Sequence, residues 1–340
     1  MNISELARHL GVAVSTVSRV LSGNAEKYRI SEQTAQRVRA AAEEHQVVPD
    51  PLGAGLRRGR PGMIGLLVPD ITNPFFSTMA RAIELRFRDT GIAVQLCDSA
   101  EDTETELLLL TRLLSRRLDG LILAPVGEVS DGLKEAISSA AMPIILLDRL
   151  LPGIDAPSVS LNNREAGKLA ASHLLLAGHR RLGCLRGDPG AVSDRERIEG
   201  VEEALRENGL GSDHLLIAGE GYTREESIAG AEWLLSAPDR PGALISLSGQ
   251  GVLGILEVSR RLDLSIPADL SLLAFDEQPW SALMQPPLTT MAQPIEKMAE
   301  KASALLSSCL ADPESITAGD SAVFEATLCE RESVARVASS

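Results

Sequence analysis

From residue 63 onward the chain alternates short apolar runs with amphipathic stretches, and it does so twice. MIGLLV (63–68) precedes an amphipathic stretch at 74–90, and IAVQLC (92–97) precedes a helix at 103–118. GLILAP (120–125) is followed by a helix near 130–140, and PIILLD (143–148) closes the first series. After Leu161 the pattern restarts with a helix at 163–178, RLGCLR, a helix at 193–209, HLLIA and a helix at 223–237. GALISLS, a helix at 250–262 and DLSLLAF complete it. Alternation of this kind predicts parallel sheets covered on both faces, an α/β class. Two such series predict two doubly wound parallel-sheet lobes. Their ligand site should lie outside the carboxyl ends of the strands, in the cleft between lobes.

Composition narrows the setting. The 340 residues are 44% hydrophobic but only 3% aromatic, so the core must rest on Leu, Ala, Val and Ile. No apolar run approaches the ~20 residues of a membrane span. The opening MNISELARHL is charged within its first ten positions and lacks the apolar core of a signal peptide. Cys97, Cys184, Cys309 and Cys329 are far apart with no CxxC pair, so neither a disulfide framework nor a zinc site is indicated. The expectation is a cytoplasmic protein without membrane partner, metal or cofactor.

The net charge of −14 is unevenly spread. Residues 1–60 carry nine Lys and Arg against six acidic groups, +3 in all, whereas residues 61–340 sum to −17. A sign change this sharp suits a separate head for a polyanion, although charge alone also fits a solvated face. The pattern within the head is more specific. Asn2 with Glu5 forms a capping-box spacing ahead of Ile3, Leu6, Ala7 and Leu10. Gly11 breaks that helix, and a second follows with Val14, Val17, Val20 and Leu21 as its apolar stripe. Two short helices across a Gly-containing turn make a helix-turn-helix. A third helix opens at Ser31-Glu32-Gln33, turns Ala35, Val38 and Ala42 inward and ends before Pro49.

In such a head the second helix enters the major groove of double-stranded DNA. Val14, Ser15 and Arg19 then face base edges: Arg pairs with guanine, Ser with either partner type, Val with a thymine methyl. The hydroxyls of Thr16 and Ser18 and the backbone at Asn2 suit phosphate contacts. For Thr16 and Ser18, ordinary helix-surface polarity explains the residues equally well.

These residues carry a resemblance. SELARHLGVAVSTVSRVLSG, SEQTAQRVRAAAEE and VVPDPLGAGLRRGRPGMIGLLVPDITNPFF, in that order, resemble the LacI/GalR (lactose-repressor) family of bacterial transcriptional regulators across essentially the whole chain. The resemblance implies a helix-turn-helix head at 1–48 and a hinge helix or linker at 49–60. It implies an N-terminal lobe at 61–161 and 291–321, and a C-terminal lobe at 162–290 and 322–340, periplasmic-binding-protein-like in fold. In the hinge, Asp50 and Pro51 suit a helix start. The family pattern makes Leu56 a wedge between base pairs of the minor groove, with Arg57 beside the backbone. Without the resemblance the segment reads equally well as a flexible linker. Departures from the family pattern are Ala13 where the second helix usually has a Ser cap, Gln46-Val47 for Gly-Tyr, and Gly53 and Gly55 within the hinge.

Polar groups gather at the strand ends: Asp70, Asn73, Asp98, Asp148-Arg149, Arg195, Arg197, Asp276 and Gln293. The family carries effector contacts onto Phe75, Asp148, Ser193, Arg197, Tyr222, Asp276 and Gln293. Charged groups across a cleft suit hydroxyl-rich ligands, because they make the stronger hydrogen bonds. Where the family commonly has Asn-Asp, this chain has Ser248-Gly249, which argues against a simple hexose. Trp280 either stacks on a sugar or packs the cleft rim. No GxSxG, HExxH or Walker loop is present and no catalytic residue is assigned, so an enzyme is not expected.

The resulting expectation is a ligand-responsive, sequence-specific DNA-binding regulator. It would repress from a pseudopalindromic operator as a homodimer, with a sugar-like effector in the cleft. The alternative is a solute-binding protein of the periplasmic type without regulatory role, which shares the two-lobe fold but not the head.

Overall fold

The computed structural model describes residues 1–21, 23, 25–45, 61–127, 130–312 and 315–337. The hinge readings, Leu56 and Arg57 among them, and the departures at 46–47, 53 and 55 lie outside the described residues. The chain divides into two compact units, Met1–Gly62 and Met63–Ser340.

The first unit is a three-helix head: α1 (Ile3–Leu10), α2 (Val14–Leu21) and α3 (Glu32–Glu44). Asn2 and Glu5 form the expected capping box, with Asn2 Oδ1 accepting from the Glu5 amide at 2.9 Å. Gly11 ends α1 at φ 67, a left-handed conformation that costs glycine nothing. Leu6, Ala7, Val17, Val20, Ala35, Val38 and Ala42 form the core. These small side chains let three short helices approach closely, and tertiary packing replaces the stability that eight-residue helices lack alone.

The second unit holds two six-stranded sheets. The first has β1 (Met63–Val68), β2 (Ala93–Asp98), β3 (Gly120–Leu123), β4 (Ile144–Asp148), β5 (Ser158–Leu161) and a late strand, β11 (Ala322–Phe324), in the order β11-β5-β4-β3-β1-β2. Every pairing in it is parallel. Helices α4 (Pro74–Arg88), α5 (Thr103–Ser115), α6 (Asp131–Ser138) and α11 (Ile295–Ala311) complete this lobe. The second sheet has β6 (Leu182–Leu185), β7 (Leu215–Ala218), β8 (Ala243–Ser246), β9 (Ser271–Phe275), β10 (Thr289–Ala292) and β12 (Thr327–Cys329), ordered β12-β10-β9-β8-β6-β7. Only the β10–β12 pair runs antiparallel. Its helices are α7 (Asn163–Leu176), α8 (Val192–Glu207), α9 (Arg224–Leu235) and α10 (Gly249–Arg261). Each sheet carries an apolar core on both faces, as continuous runs such as IILL and LLAF require.

The chain passes between the lobes three times, and two crossings fall later than 290 and 321. Strand β10 stays in the second sheet to Ala292, paired with β9. Ala322–Phe324 then pairs with β5 of the first sheet, so residues 322–324 belong to the N-terminal lobe. The last crossing is at Glu325–Ala326, beside the first: the Asn162 amide donates to the Phe324 carbonyl at 2.8 Å, and Asn162 Nδ2 to Glu325 Oε1 at 3.0 Å. A three-residue strand has too little periodicity to announce which sheet it joins.

Candidate functional site

In the head, Val17 and Val20 of α2 are buried, whereas Val14, Ser15 and Arg19 are exposed and Thr16 and Ser18 half-buried. Helical periodicity puts Ser15, Ser18 and Arg19 on the side away from the core and leaves Val14 and Thr16 at its flanks. Exposure of Val14, at 39%, separates it from the core stripe to which the sequence pattern assigned it. Tyr28 was missed: its ring lies under the Arg19 guanidinium, 4.0 Å from Cζ to centroid, and pre-orients that side chain. The Asn2 amide donates to Glu5 Oε2 at 3.0 Å, and the first-turn amides of Ile3 and Ser4 are among those a helix leaves without internal partners.

In the second unit, all seven residues expected to meet an effector line one cavity between the lobes: Phe75, Asp148, Ser193, Arg197, Tyr222, Asp276 and Gln293. From the first lobe, Asn73 caps α4 by accepting from the Phe75 amide at 3.0 Å, and Pro74 sets the first turn. That start drives Phe75 and Phe76 inward, edge to face with centroids 5.0 Å apart. Asp148 ends β4 and Asp276 follows β9. Both sit at positive φ, 66° and 71°, a region Asp tolerates better than most residues. The two lobes thus repeat one device, an aspartate turned back over the end of a central strand.

Close helix packing places Arg197. Helices α7 and α8 touch through Gly167 and Gly200, where a Cβ would lie 2.0 Å from the Arg197 carbonyl oxygen and 1.9 Å from that of Arg164. This contact lets Arg197 Nε donate to Asn163 Oδ1 at 2.9 Å and Nη1 to the Leu247 carbonyl at 2.5 Å. The guanidinium stacks on Phe275, 4.2 Å from the centroid. Arg195, two residues earlier, faces solvent and lines no part of the cleft. Tyr222 lies directly on Gly187, where a Cβ would approach its ring to 2.0 Å. Trp280 packs against the second-lobe core and does not line the cavity.

Two partners of the site were not assigned from sequence. Arg149 is 4% exposed and donates Nη1 and Nη2 to both oxygens of Glu101 at 2.8 and 2.9 Å, with Nη1 also donating to the Val126 carbonyl at 2.5 Å. Its plane is flanked by Phe76 at 5.5 Å and, from the other lobe, Tyr222 at 4.6 Å. Asp194 is buried beside Arg197, accepts from the Gly187 amide at 2.6 Å, and keeps Oδ1 4.0 Å from Arg197 Nη1. The Asp148-Arg149 pair at a strand end was the available signal for the first; the i, i+3 spacing to Arg197 was the signal for the second.

Ser248 and Gly249 begin α10. Ser248 Oγ accepts from the Gly251 amide at 3.2 Å, and the Gly249 amide donates to Asp276 Oδ2 at 3.0 Å. A Cβ at 249 would lie 2.6 Å from Gln278 Nε2, so a larger residue there would have to turn the Gln278 amide aside. Asp276 Oδ1 accepts from Gln293 Nε2 at 2.7 Å. Burial pushes the Asp148 carboxyl up to about 6, against the pull of Arg149 and Arg197. Burial likewise raises Asp194. Behind the site, burial lifts Glu106 to about 7, although it accepts from the Val126 amide at 2.8 Å.

The inner cavity measures about 20 Å³, little more than one water molecule needs. An outer pocket of about 280 Å³ adjoins it across Phe75 and Asp276. A sugar-sized ligand therefore enters the inner site only when the lobes part. Among the described residues no group of His, Cys, Asp and Glu side chains could hold a metal ion, and no helix is long and apolar enough to cross a membrane.

Residues 2–50 match the model of bacterial regulatory proteins of the lacI family, and residues 171–334 match a periplasmic binding protein-like domain. The chain is 32% identical over 298 residues to the HTH-type transcriptional regulator DegA of Bacillus subtilis, covering 87% of each. It is 31% identical over 304 residues to the HTH-type transcriptional repressor CytR of Escherichia coli K12, covering 89% of this chain and 88% of that one. Among solved structures, a ribose-bound LacI family regulator from Enterococcus faecium matches with TM-score 0.73 at 28% identity, over 81% of this chain and all of the other. The lac repressor dimer bound to operator matches in fold with TM-score 0.84 at 22% identity, over 97% and 98% of the two chains.

Proposed function

The chain belongs to the LacI family of bacterial regulatory proteins, and we propose that it is a repressor that binds a pseudopalindromic operator as a homodimer and responds to a small polar effector in the interlobe cleft. One observation carries the reading: a helix-turn-helix head with an outward Val14, Ser15, Ser18 and Arg19 face shares a chain with a polar interlobe cavity lined by both lobes. In the head, Arg19, Ser15 and Val14 read bases while Thr16 and Ser18 set register on phosphates. Leu56 and Arg57 serve the hinge between head and lobes. Two-fold symmetry of the dimer demands two half-sites of the same kind on the DNA.

The regulatory logic is linkage. An effector that binds the parted and the closed lobes with different affinity shifts their balance, and operator affinity shifts with it. A hundredfold response corresponds to about 2.7 kcal/mol of coupling, within the usual allosteric range. The protein acts in the cytoplasm, at the nucleoid when bound to its operator.

Selection of bound sequences from random duplex DNA tests the proposal. A palindromic consensus bound by a dimer is the expected result, with affinity altered by a cleft ligand. Recovery of no consensus overturns the regulatory reading and leaves a solute-binding protein.

A further inference from the structure

We propose that the effector is a cationic polyol, a compound that offers hydroxyl donors and at least one protonated amine and carries no phosphate or carboxylate. The proposal rests on reading the cleft as the effector site and names the ligand class.

Charge bookkeeping comes first. Arg149 and Arg197 face Asp148, Asp194 and Asp276 around the cavity, and Glu101 stands behind Arg149. Two guanidinium groups against four carboxylates leave a formal charge of −2 in a site whose charged side chains are largely buried. An anion entering such a site meets repulsion without the solvent that would screen it.

The arginines compensate only in part, because most of their nitrogens are engaged. Both terminal nitrogens of Arg149 bind Glu101, and one also binds the Val126 carbonyl, while its plane stacks against Phe76 and Tyr222. Arg197 commits Nε to Asn163 and Nη1 to Leu247. Arg197 keeps Nη2 outside both bonds, but a phosphate or carboxylate is best met by two neighbouring free nitrogens, and in each arginine at least one nitrogen of the terminal pair is already bonded.

The unpartnered atoms point the same way. Among the described residues lining the cavity, the buried side-chain atoms without a hydrogen-bond partner are Asp148 Oδ1, Asp194 Oδ1 and Gln293 Oε1. Asp148 and Asp194 are 6% and 1% exposed. Gln293 is held with its oxygen inward because its nitrogen donates to Asp276. All three are acceptors, and a buried acceptor left unmet is costly. The complementary ligand brings donors to all three and positive charge to the two aspartates.

Asp148 is faced by Arg149 beside it, by Arg197 and Asp194 on α8, and by Asp276 beyond β9. A cation placed against it favours its ionised form, so binding of an amine strengthens as pH rises from 5 to 7.

The test uses the full-length protein and matched compounds on one skeleton: glucose, glucosamine, glucose 6-phosphate and glucuronate, with the galactose and mannose sets alongside. A second panel holds neutral pentoses and nucleosides. Calorimetry should find at least one amine bound tenfold or more tightly than its neutral partner, and no binding of the phosphates or acids. Asp148→Asn should cut that preference below threefold, and a thermal melt no lower than that of the parent reports an intact fold. If a phosphate or acid binds best, or a neutral compound binds and no amine exceeds it, the proposal falls and the effector reading stands. If nothing in either panel binds or alters operator affinity, both fall.

Discussion

Replacing Arg149 with methionine probes the buried ion pair at the cleft edge of the first lobe. The side chain is 4% exposed and its partner Glu101 16%, so neither charge can recover water when the other is lost. The substitution removes two charge-assisted bonds to Glu101 and one to the Val126 carbonyl, and methionine restores only part of the volume. Breaking a buried pair by deleting one partner costs about 3–5 kcal/mol, because the remaining carboxylate is uncompensated. Glu101 adds to the penalty: it and Ala100 both sit at positive φ, 53° and 54°, a conformation that surrounding contacts must hold. In a unit this size each kcal/mol moves Tm by about 2–4 °C, so a fall of about 6–20 °C follows. Urea denaturation of Arg149→Met, Glu101→Gln and the double variant gives the coupling directly. The double variant should be more stable than the sum of the singles implies, by at least about 1.5 kcal/mol, since no lone charge remains. A single variant within about 1 kcal/mol of the parent, or strict additivity, would refute the buried-pair argument.

Other outcomes are as specific. Asp148 has its carboxyl raised from 3.8 to about 6, so the folded state holds a proton the unfolded chain releases, and stability falls as pH rises from about 4 to 6. Asp148→Asn should therefore stabilise the protein by up to about 3 kcal/mol at pH 8 and by little at pH 4, read from denaturation at both values. Gly167→Ala drives a Cβ into the Arg197 carbonyl; it should destabilise by at least about 1–3 kcal/mol and weaken effector binding without touching the cleft. Arg19→Ala should lose about 1–3 kcal/mol of operator affinity and relax one base position in gel-shift measurements. Equal loss on random DNA would make Arg19 a phosphate contact instead. Asn2→Ala should cost the head about 0.5–2 kcal/mol through its cap, measured by thermal melting. With the acidic charge concentrated after residue 60, operator affinity should show only a modest salt slope, set by few phosphate contacts per head.

Much of the site was legible because strand ends and helix faces are local properties. Asp148 and Asp276 terminate apolar runs, and Arg197 sits four residues after Ser193 and four before Val201, on the face that α8 buries. The same spacing sends Arg195 outward. Glu101 was not legible: its partner is 48 positions away, and only the pairing of β3 with β1 and β4 brings the two loops together. Nor was Tyr28 beneath Arg19, since a cation over a ring leaves no spacing signal in a loop.

The sequence by itself determined most of the helices and central strands, that they form two α/β lobes and a separate head, and which end of each sheet carries polar groups. These follow from periodicity and capping, which act over a few residues. Tertiary structure decided that Ala322–Phe324 closes the first sheet, that both arginines of the cleft are already engaged, and that acidic oxygens remain to meet a ligand. Those outcomes depend on which distant groups share a low-dielectric space once the lobes meet. No local pattern encodes that, and it sets the charge the cleft presents.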